Sequence, residues 1–231
     1  LGGGVEMLEP TGPVLGILES MEWTVRECQL ARGDALAMFS DGIVESFSPM
    51  GVEFGEEGVE RIKQWVREGG TLVTLGQATE FARSELDLID LRSWYDTEEG
   101  EEGEEGEDAQ HFDVPGAIFQ AKLNEHHWTS AGYDGAALPV LVDSDRIYLA
   151  PEGPPSSRKR VIATYGDGQS KLSGHAWQES LERLPGAVFA YEERVDRGRV
   201  IAFAEDINFR GYARGINRLF LNAVLLGPSA P

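Results

Sequence analysis

Residues 56–76, EEGVERIKQWVREGGTLVTLG, set the strongest constraint on what this chain can fold into. Val59, Ile62, Trp65 and Val66 fall at spacings of three, three and one, which places them on a single helical face. Glu56 and Glu57 open the stretch and Arg67 stands near its end, the polarity that a helix macrodipole favours. Gly69-Gly70 stops the helix, and TLVTLG follows as an apolar strand enriched in β-branched Thr and Val. A helix, a double glycine and a buried strand form half of an α/β crossover, so a sheet with helices laid against it is required here.

The remaining pattern fits such a sheet. Residues 21–30, MEWTVRECQL, alternate loosely as a strand would, Arg32-Gly33-Asp34 makes a turn, and ALAMFS is a short apolar run ending at Asp41-Gly42. Further on, AIFQAKL, LPVLVDSDRIYL, RVIATY, AVFAYEERV and GRVIAFAED all read as strands separated by Gly, Pro or Asp turns. EGPPSSRKR reads as an exposed loop. The final element, RGINRLFLNAVLLG, is apolar on nearly every face except the one bearing Asn217 and Arg218, as expected of a helix buried on a sheet. There is no internal repeat.

Charge and cysteine content exclude several functions. The 231 residues carry a formal net charge of −20, which opposes nucleic acid or an anionic membrane as a partner. Eight of the 40 acidic residues sit in EEGEEGEEGED, residues 98–108, a self-repelling run that reads as a solvated loop within residues 97–108. Its EEG repeats lack the fixed ligand spacing of a calcium loop. A single cysteine, Cys28, allows neither an internal disulfide nor a cysteine-built metal cage. No run reaches 18 apolar residues, so no membrane insertion is expected.

Residues 10–55, PTGPVLGILESMEWTVRECQLARGDALAMFSDGIVESFSPMGVEFG, resemble the later part of a PPM-type serine/threonine phosphatase of the sporulation-phosphatase branch. Gly12, Leu15-Gly16, the Arg32-Gly33-Asp34 turn and FSDGIVES carry the likeness. The resemblance implies that Asp41, of the Asp41-Gly42 pair, is a ligand of a Mn²⁺ or Mg²⁺ centre, whose paired ions activate water for attack on phosphorus. It also implies an acidic Asp-Gly segment that would lie before Leu1, and a paired-Asp strand after EFG, where this chain has GGTLVTLGQATEF. One carboxylate does not hold two cations, and Asp41 has an ordinary alternative use in closing a turn.

Residues 58–228 resemble a different protein, the C-terminal accessory domain of bacterial zinc carboxypeptidases, which is similar to class I glutamine amidotransferases. GVERIKQWVREGGTLVTLG, VPGAIFQAKL, TSAGYDG, VLVDSDRIY, KLSGHAW and above all GRVIAFAEDINFRGYARGINRLFLNAVLLGPS carry this likeness. It implies a layered αβα sheet of amidotransferase or flavodoxin type, to which the phosphatase-like segment adds an N-terminal β piece. No zinc site is expected. The peptidases need His-x-x-Glu, and the residues three after His111, His126, His127 and His175 are Val114, Thr129, Ser130 and Gln178. His126-His127 reads as packed and hydrogen-bonded. An amidotransferase needs a thiol on a strand-to-helix elbow, and Leu75-Gly76-Gln77-Ala78-Thr79 has the turn without the thiol, so no catalytic residue is assigned.

The expected organisation is therefore a phosphatase-like segment over residues 1–57 and an amidotransferase-like domain over 58–231, a fused or chimeric chain. Strand carboxyl ends line the ligand crevice of open α/β sheets, so Glu205, Asp206, Asn208 and Arg210 are the candidate binding residues. The same groups have structural uses as helix cap and ion pair. The main expectation is a non-catalytic accessory module that binds a peptidase domain, a peptide or a protein. The alternative is a metal-dependent phosphatase completed by segments outside this chain, with Mn²⁺ or Mg²⁺ at Asp41 as its only cofactor. The carboxypeptidase resemblance implies export and the phosphatase resemblance a cytoplasmic setting. If residues 22–40 do not supply an edge for the sheet containing residues 71–75, unpaired strand edges are expected to drive association.

Overall fold

A computed structural model describes residues 28–31, 33–38, 55–97, 113–153, 156–208 and 214–230. Strand β1 (Ala35–Met38) leads to helix α1 (Gly55–Arg67), strand β2 (Thr71–Leu75) and helix α2 (Gln77–Ser84). Short β3 (Arg92–Ser93) precedes β4 (Ala117–Leu123), β5 (Ala137–Val142), β6 (Tyr148–Leu149), β7 (Lys159–Tyr165) and β8 (Lys171–Gly174). Helix α3 (Gln178–Arg183), the hairpin of β9 (Val188–Val195) and β10 (Gly198–Phe203), and helix α4 (Arg214–Leu226) complete the chain.

All ten described strands join one mixed sheet, with the order β1-β2-β10-β9-β7-β4-β5 and β3, β6 and β8 paired alongside. β1 and β10 flank β2 and both run parallel to it, with Ala35 and Arg199 opposite Thr71. The pairs beyond β10 are antiparallel. The fold is thus mixed α/β, parallel at one end and antiparallel over the rest.

The α1 face read from the sequence is the one that packs. Trp65 and Val66 are buried, and Val59 and Ile62 lie against the same core. With β2 and β10 buried on both sides, alternate residues enter opposite layers. Leu72, Val200 and Ala202 meet Val66 of α1 and Ala78 and Phe81 of α2. Val73, Leu75, Ile201 and Phe203 lie in the other layer with Ile216, Leu219 and Ala223 of α4. Tyr165 stands in that layer edge-on to Phe119 and Phe189, with centroids 6.2 and 5.6 Å away. Each large side chain so buried contributes roughly 1.5–3 kcal/mol.

Two expectations change, and a third holds. LPVLVDSDRIYL is not one strand, because Asp143–Arg146 break it into β5 and β6. Helix α4 is buried against the sheet as expected, through Ile216, Leu219 and Ala223 with Phe220 and Val224 packed beside them, while Leu221, Leu225 and Leu226 are exposed. Of the strand expected over residues 21–30, residues 28–30 carry no strand and the rest lies outside the described residues. The edge expected from residues 22–40 is met over Ala35–Met38, which pair with β2. The turn before β1 is closed by Asp34, whose carboxylate accepts the amide of Ala31 at 2.7 Å, while the Trp65 indole donates to the Ala31 carbonyl. No helix among the described residues is long and apolar enough to cross a membrane.

The β9–β10 turn lies against the end of α1 so closely that a Cβ on Gly198 would stand 1.9 Å from the Val66 carbonyl oxygen and 2.4 Å from that of Gly70. Neither backbone oxygen has room to yield. Gly198→Ala is expected to cost roughly 2–3 kcal/mol through forced backbone displacement, read as a lower urea midpoint. An unchanged midpoint would show the contact to be slack.

Candidate functional site

The transition from β2 to α2 takes place at one residue. Gly76 has φ 56° and ψ −124°, a conformation that side-chain-bearing residues seldom adopt, and it gives α2 no side-chain cap. Enzymes that attack from a strand-to-helix elbow hold their nucleophile on such a turn. Here the elbow residue itself is a glycine. A Cβ on it would lie 3.5 Å from Arg146 Nη2 and 3.6 Å from the Asp206 amide nitrogen, ordinary contact distances, so backbone strain at positive φ rather than crowding is what opposes a side chain there. Thr79, three residues later, is not presented to a ligand. It is fully buried, its hydroxyl donates to the Phe203 carbonyl at 2.8 Å, and it lies 3.1 Å from the Thr74 hydroxyl. It ties α2 to the sheet.

Parallel pairing brings the carboxyl end of β10 to the same edge. Phe203 lies opposite Leu75, so Glu205 and Asp206 emerge beside the elbow. Glu205 is 1% exposed. Its carboxylate accepts from Ser144 Oγ at 2.7 Å, from Arg146 Nη2 at 3.3 Å and from the Tyr165 hydroxyl at 3.5 Å. Arg146 is itself held by an Nε donation to the Ala204 carbonyl at 2.7 Å. Burial pushes Glu205 up to about 7, Arg146 and Ser144 pull against it, and neighbouring Asp143 adds to the rise. Burial also raises the Tyr165 hydroxyl, keeping it a neutral donor.

Of the residues singled out in the sequence, the structure brings Glu205 and Asp206 to the elbow. Asp206 accepts the amide of Asn208 at 3.1 Å, so Asn208 sits in a local turn beside them. Arg210, Asp41 and Gly42 lie outside the described residues. Among the described residues no group of three or more His, Cys, Asp or Glu is placed to hold a metal ion, so these residues add no ligand set for a Mn²⁺ or Mg²⁺ centre. Sequence reading missed Arg146 and Ser144. The signal was the Asp-Ser-Asp-Arg run inside an otherwise apolar stretch, which it absorbed into a strand.

A second polar cluster lies in the α4-side layer. His127 Nδ1 accepts from the Thr129 amide at 3.3 Å and lies 2.7 Å from the Thr129 hydroxyl, which leaves Nε2 to donate to Glu192 at 2.7 Å. Glu192 also accepts from Arg199 Nη1 at 2.7 Å and from the Trp128 indole at 3.3 Å. Arg199 lies over the Trp128 ring, 5.6 Å from its centroid, and donates to the Ala230 carbonyl. Burial pushes Glu192 up, but the His127 bond, Arg199 and Trp128 outweigh it and hold the carboxylate below its usual range. The Thr–His–Glu order resembles a catalytic relay, yet Thr129, His127 and Glu192 are buried to 3% exposure or less. No substrate reaches them, and the cluster braces β9, β10 and the end of the chain. His127 is therefore the packed, bonded histidine its sequence suggested, and His126 is exposed.

At the opposite end of β10 from the elbow, a cleft of about 440 Å³ is lined by Asp87, Asp90, Arg158, Glu193 and Asp196 among others. Two of its four acids are engaged: Asp90 pairs with Lys159, and Glu193 accepts from the Tyr191 hydroxyl and the Asp90 amide.

The family model of Stage II sporulation protein E (SpoIIE) matches residues 2–80, less than half of the chain, and extends through α1 and β2 into α2. No curated protein matches. Among solved structures, the cytoplasmic protein STM1381 from Salmonella typhimurium LT2 is similar at 13% identity and a TM-score of 0.47, over 84% of this chain and 70% of that one. The cytoplasmic protein STM3548 from Salmonella typhimurium is similar at 11% identity and a TM-score of 0.43, over 84% and 71%. A β-galactosidase from Bacillus circulans sp. alkalophilus is similar at 14% identity and a TM-score of 0.39, over 74% of this chain and 20% of that one. Likeness at this level assigns no function.

The two buried glutamates respond to pH in opposite senses. For Glu205 the native state binds more protons than the unfolded chain between the usual value of 4.5 and about 7, so its contribution is full below 4.5 and is lost as pH rises through 7. Glu205→Gln is expected to remove about 3 kcal/mol of that pH-dependent loss, seen as a flatter stability profile between pH 4.5 and 7.5 in urea titrations. A parallel offset from wild type would refute it. Glu192, held low, contributes above its unfolded value and loses that contribution as pH falls. Glu192→Ala leaves Arg199 buried without its carboxylate and is expected to cost roughly 3–5 kcal/mol; a cost below about 1 kcal/mol would mean that water takes the carboxylate's place.

Proposed function

We propose that the front of this chain is a segment of a metal-dependent protein phosphatase and that the remainder is a non-catalytic module which binds its ligand at the carboxyl edge of β2 and β10. The phosphatase reading is supported by the SpoIIE family match over residues 2–80 together with FSDGIVES and its Asp41-Gly42 pair. It has support from outside the chain that a carboxypeptidase-associated module lacks; the latter rests on the resemblance of residues 58–228 alone. In this reading the division falls near residues 57–58, and helices on both faces of β2 and β10 form a local amidotransferase-type layering.

One observation carries the non-catalytic half. The backbone at the elbow adopts the conformation in which an attacking side chain is held, and the residue there is Gly76. Thr79 spends its hydroxyl on Phe203. What the edge does offer is a fixed guanidinium and the Asp206 backbone and carboxylate, with Glu205 buried behind them, groups suited to gripping a peptide or a carboxylated ligand.

The phosphatase half needs carboxylates beyond Asp41, because a two-ion centre cannot be anchored by one. The reading therefore places the remaining ligands in sequence or a partner beyond these 231 residues. Hydrolysis of p-nitrophenyl phosphate, with and without Mn²⁺, tests it on the chain and on Asp41→Ala. The chain alone is expected to show no Mn²⁺-dependent turnover above the variant. Turnover that Asp41→Ala abolishes would make this polypeptide itself the phosphatase.

A further inference from the structure

Three neighbouring strands place arginine on one face of the sheet. Arg160 of β7 lies opposite Glu192 of β9, and Arg194, two residues further along β9, lies opposite Arg199 of β10. Residues directly opposite share a face, as do residues two apart on a strand, so all four side chains project toward the α4 side. Arg199 is 7% exposed, with Nη1 given to Glu192 and Nη2 to the Ala230 carbonyl. Arg160 is half-buried and Arg194 is exposed. Neither forms an ion pair with an acid among the described residues, Asp196 of the adjoining turn included. Like charges directly opposite on paired strands repel, so the Arg194–Arg199 pair is destabilising. Burial pulls Arg199 below its usual range; Glu192 opposes that pull, and Arg194 and Arg160 add to it. Three guanidiniums face one carboxylate, since His127 meets Glu192 as a neutral ring whose Nδ1 accepts the Thr129 amide. The face therefore keeps an excess of two positive charges on a chain whose formal net charge is −20.

That setting selects the partner. The field of the whole chain repels a long polyanion, and the arginine excess prevails only within about 8–10 Å, so the partner is a short acidic stretch. Arg199 has both terminal nitrogens committed, which leaves two guanidinium forks, those of Arg160 and Arg194. These are diagonal neighbours on adjacent strands, with backbones about 7–8 Å apart. Side chains two residues apart on an extended chain are separated by about 7 Å. Each fork is shaped to take one carboxylate through two parallel hydrogen bonds. We propose that this face of β7, β9 and β10 is a docking surface for an extended acidic segment of a partner protein, Arg160 and Arg194 each taking a carboxylate from residues two apart. Two bound carboxylates balance the excess and relieve the repulsion between Arg194 and Arg199. The surface lies toward the start of β10, away from the carboxyl edge, and does not depend on that edge binding a ligand.

The test is a titration of the full chain with an end-capped Gly-Glu-Val-Glu-Gly peptide, followed through the backbone amide resonances of Arg160, Arg194 and Arg199. A peptide with glutamine for both glutamates is the uncharged control. The acidic peptide alone is expected to shift these amides, and about 0.5 M NaCl to suppress the shifts. Arg160→Gln and Arg194→Gln are each expected to weaken binding by about fivefold. Arg194→Gln is also expected to raise the urea midpoint of the free chain, because it removes the repulsion of Arg199. A lower midpoint would make Arg194 a brace of the sheet and overturn the proposal. So would equal shifts from the glutamine peptide, or none from the acidic one. Inorganic phosphate matching the acidic peptide in affinity would replace the segment by a single compact anion. Shifts that follow chain concentration without peptide would assign the face to a second copy of this chain. Either result would overturn the proposal, and the wild-type titrations decide it even if a variant fails to fold.

Discussion

Strand β10 is the constraint on which the rest of the structure depends. It is buried along its whole length, parallel to β2 on one side and antiparallel to β9 on the other, so it is the strand at which the sheet changes character. Its residues feed both apolar layers in alternation, Val200 and Ala202 toward α1 and α2, Ile201 and Phe203 toward α4. Its start is pressed against the end of α1 through Gly198, and its end delivers Glu205 to the elbow. A slip of one residue in its register would exchange the two layers and carry Glu205 away from Arg146, because side chains alternate with a period of two.

The two buried glutamates show how environment, rather than residue type, sets charge. Glu192 and Glu205 are equally inaccessible, each 1% exposed. Glu192 receives close donors from His127 and Arg199 plus an indole, and stays ionised below its usual range. Glu205 has a hydroxyl at 2.7 Å, a guanidinium at 3.3 Å and an acid close by, and burial prevails. The first arrangement is a brace sealed from solvent. The second lies at the carboxyl edge of the sheet, behind the Gly76 turn, where donors too few to outweigh burial leave the carboxyl raised.

The N-terminal segment is not merely tethered to this sheet. β1 extends it in parallel beyond β2, and the Trp65 indole of α1 donates to the carbonyl of Ala31 before that strand. The family match likewise runs past the end of the quoted phosphatase motif and into α2. β1 thus covers backbone that would otherwise be an open edge of β2.

Local periodicity made α1, β2, β4, β7, β9 and β10 legible in the sequence, because burial of one face at a fixed period is written directly into residue order. The stop at Gly69-Gly70 and the placement of Glu205 and Asp206 after a buried strand were equally readable. The sequence could not reveal that Asp143–Arg146 leave the sheet to meet Glu205, since that contact joins residues about sixty positions apart through pairing no local pattern encodes. Nor could it show that α4 exposes Leu221 and Leu225, because a helix apolar on most of its faces carries little signal of which of them meets the sheet. The charge of Glu205 and its place beside the Gly76 turn belong to tertiary structure alone: both arise only when strands distant in sequence end at one edge and exclude water there.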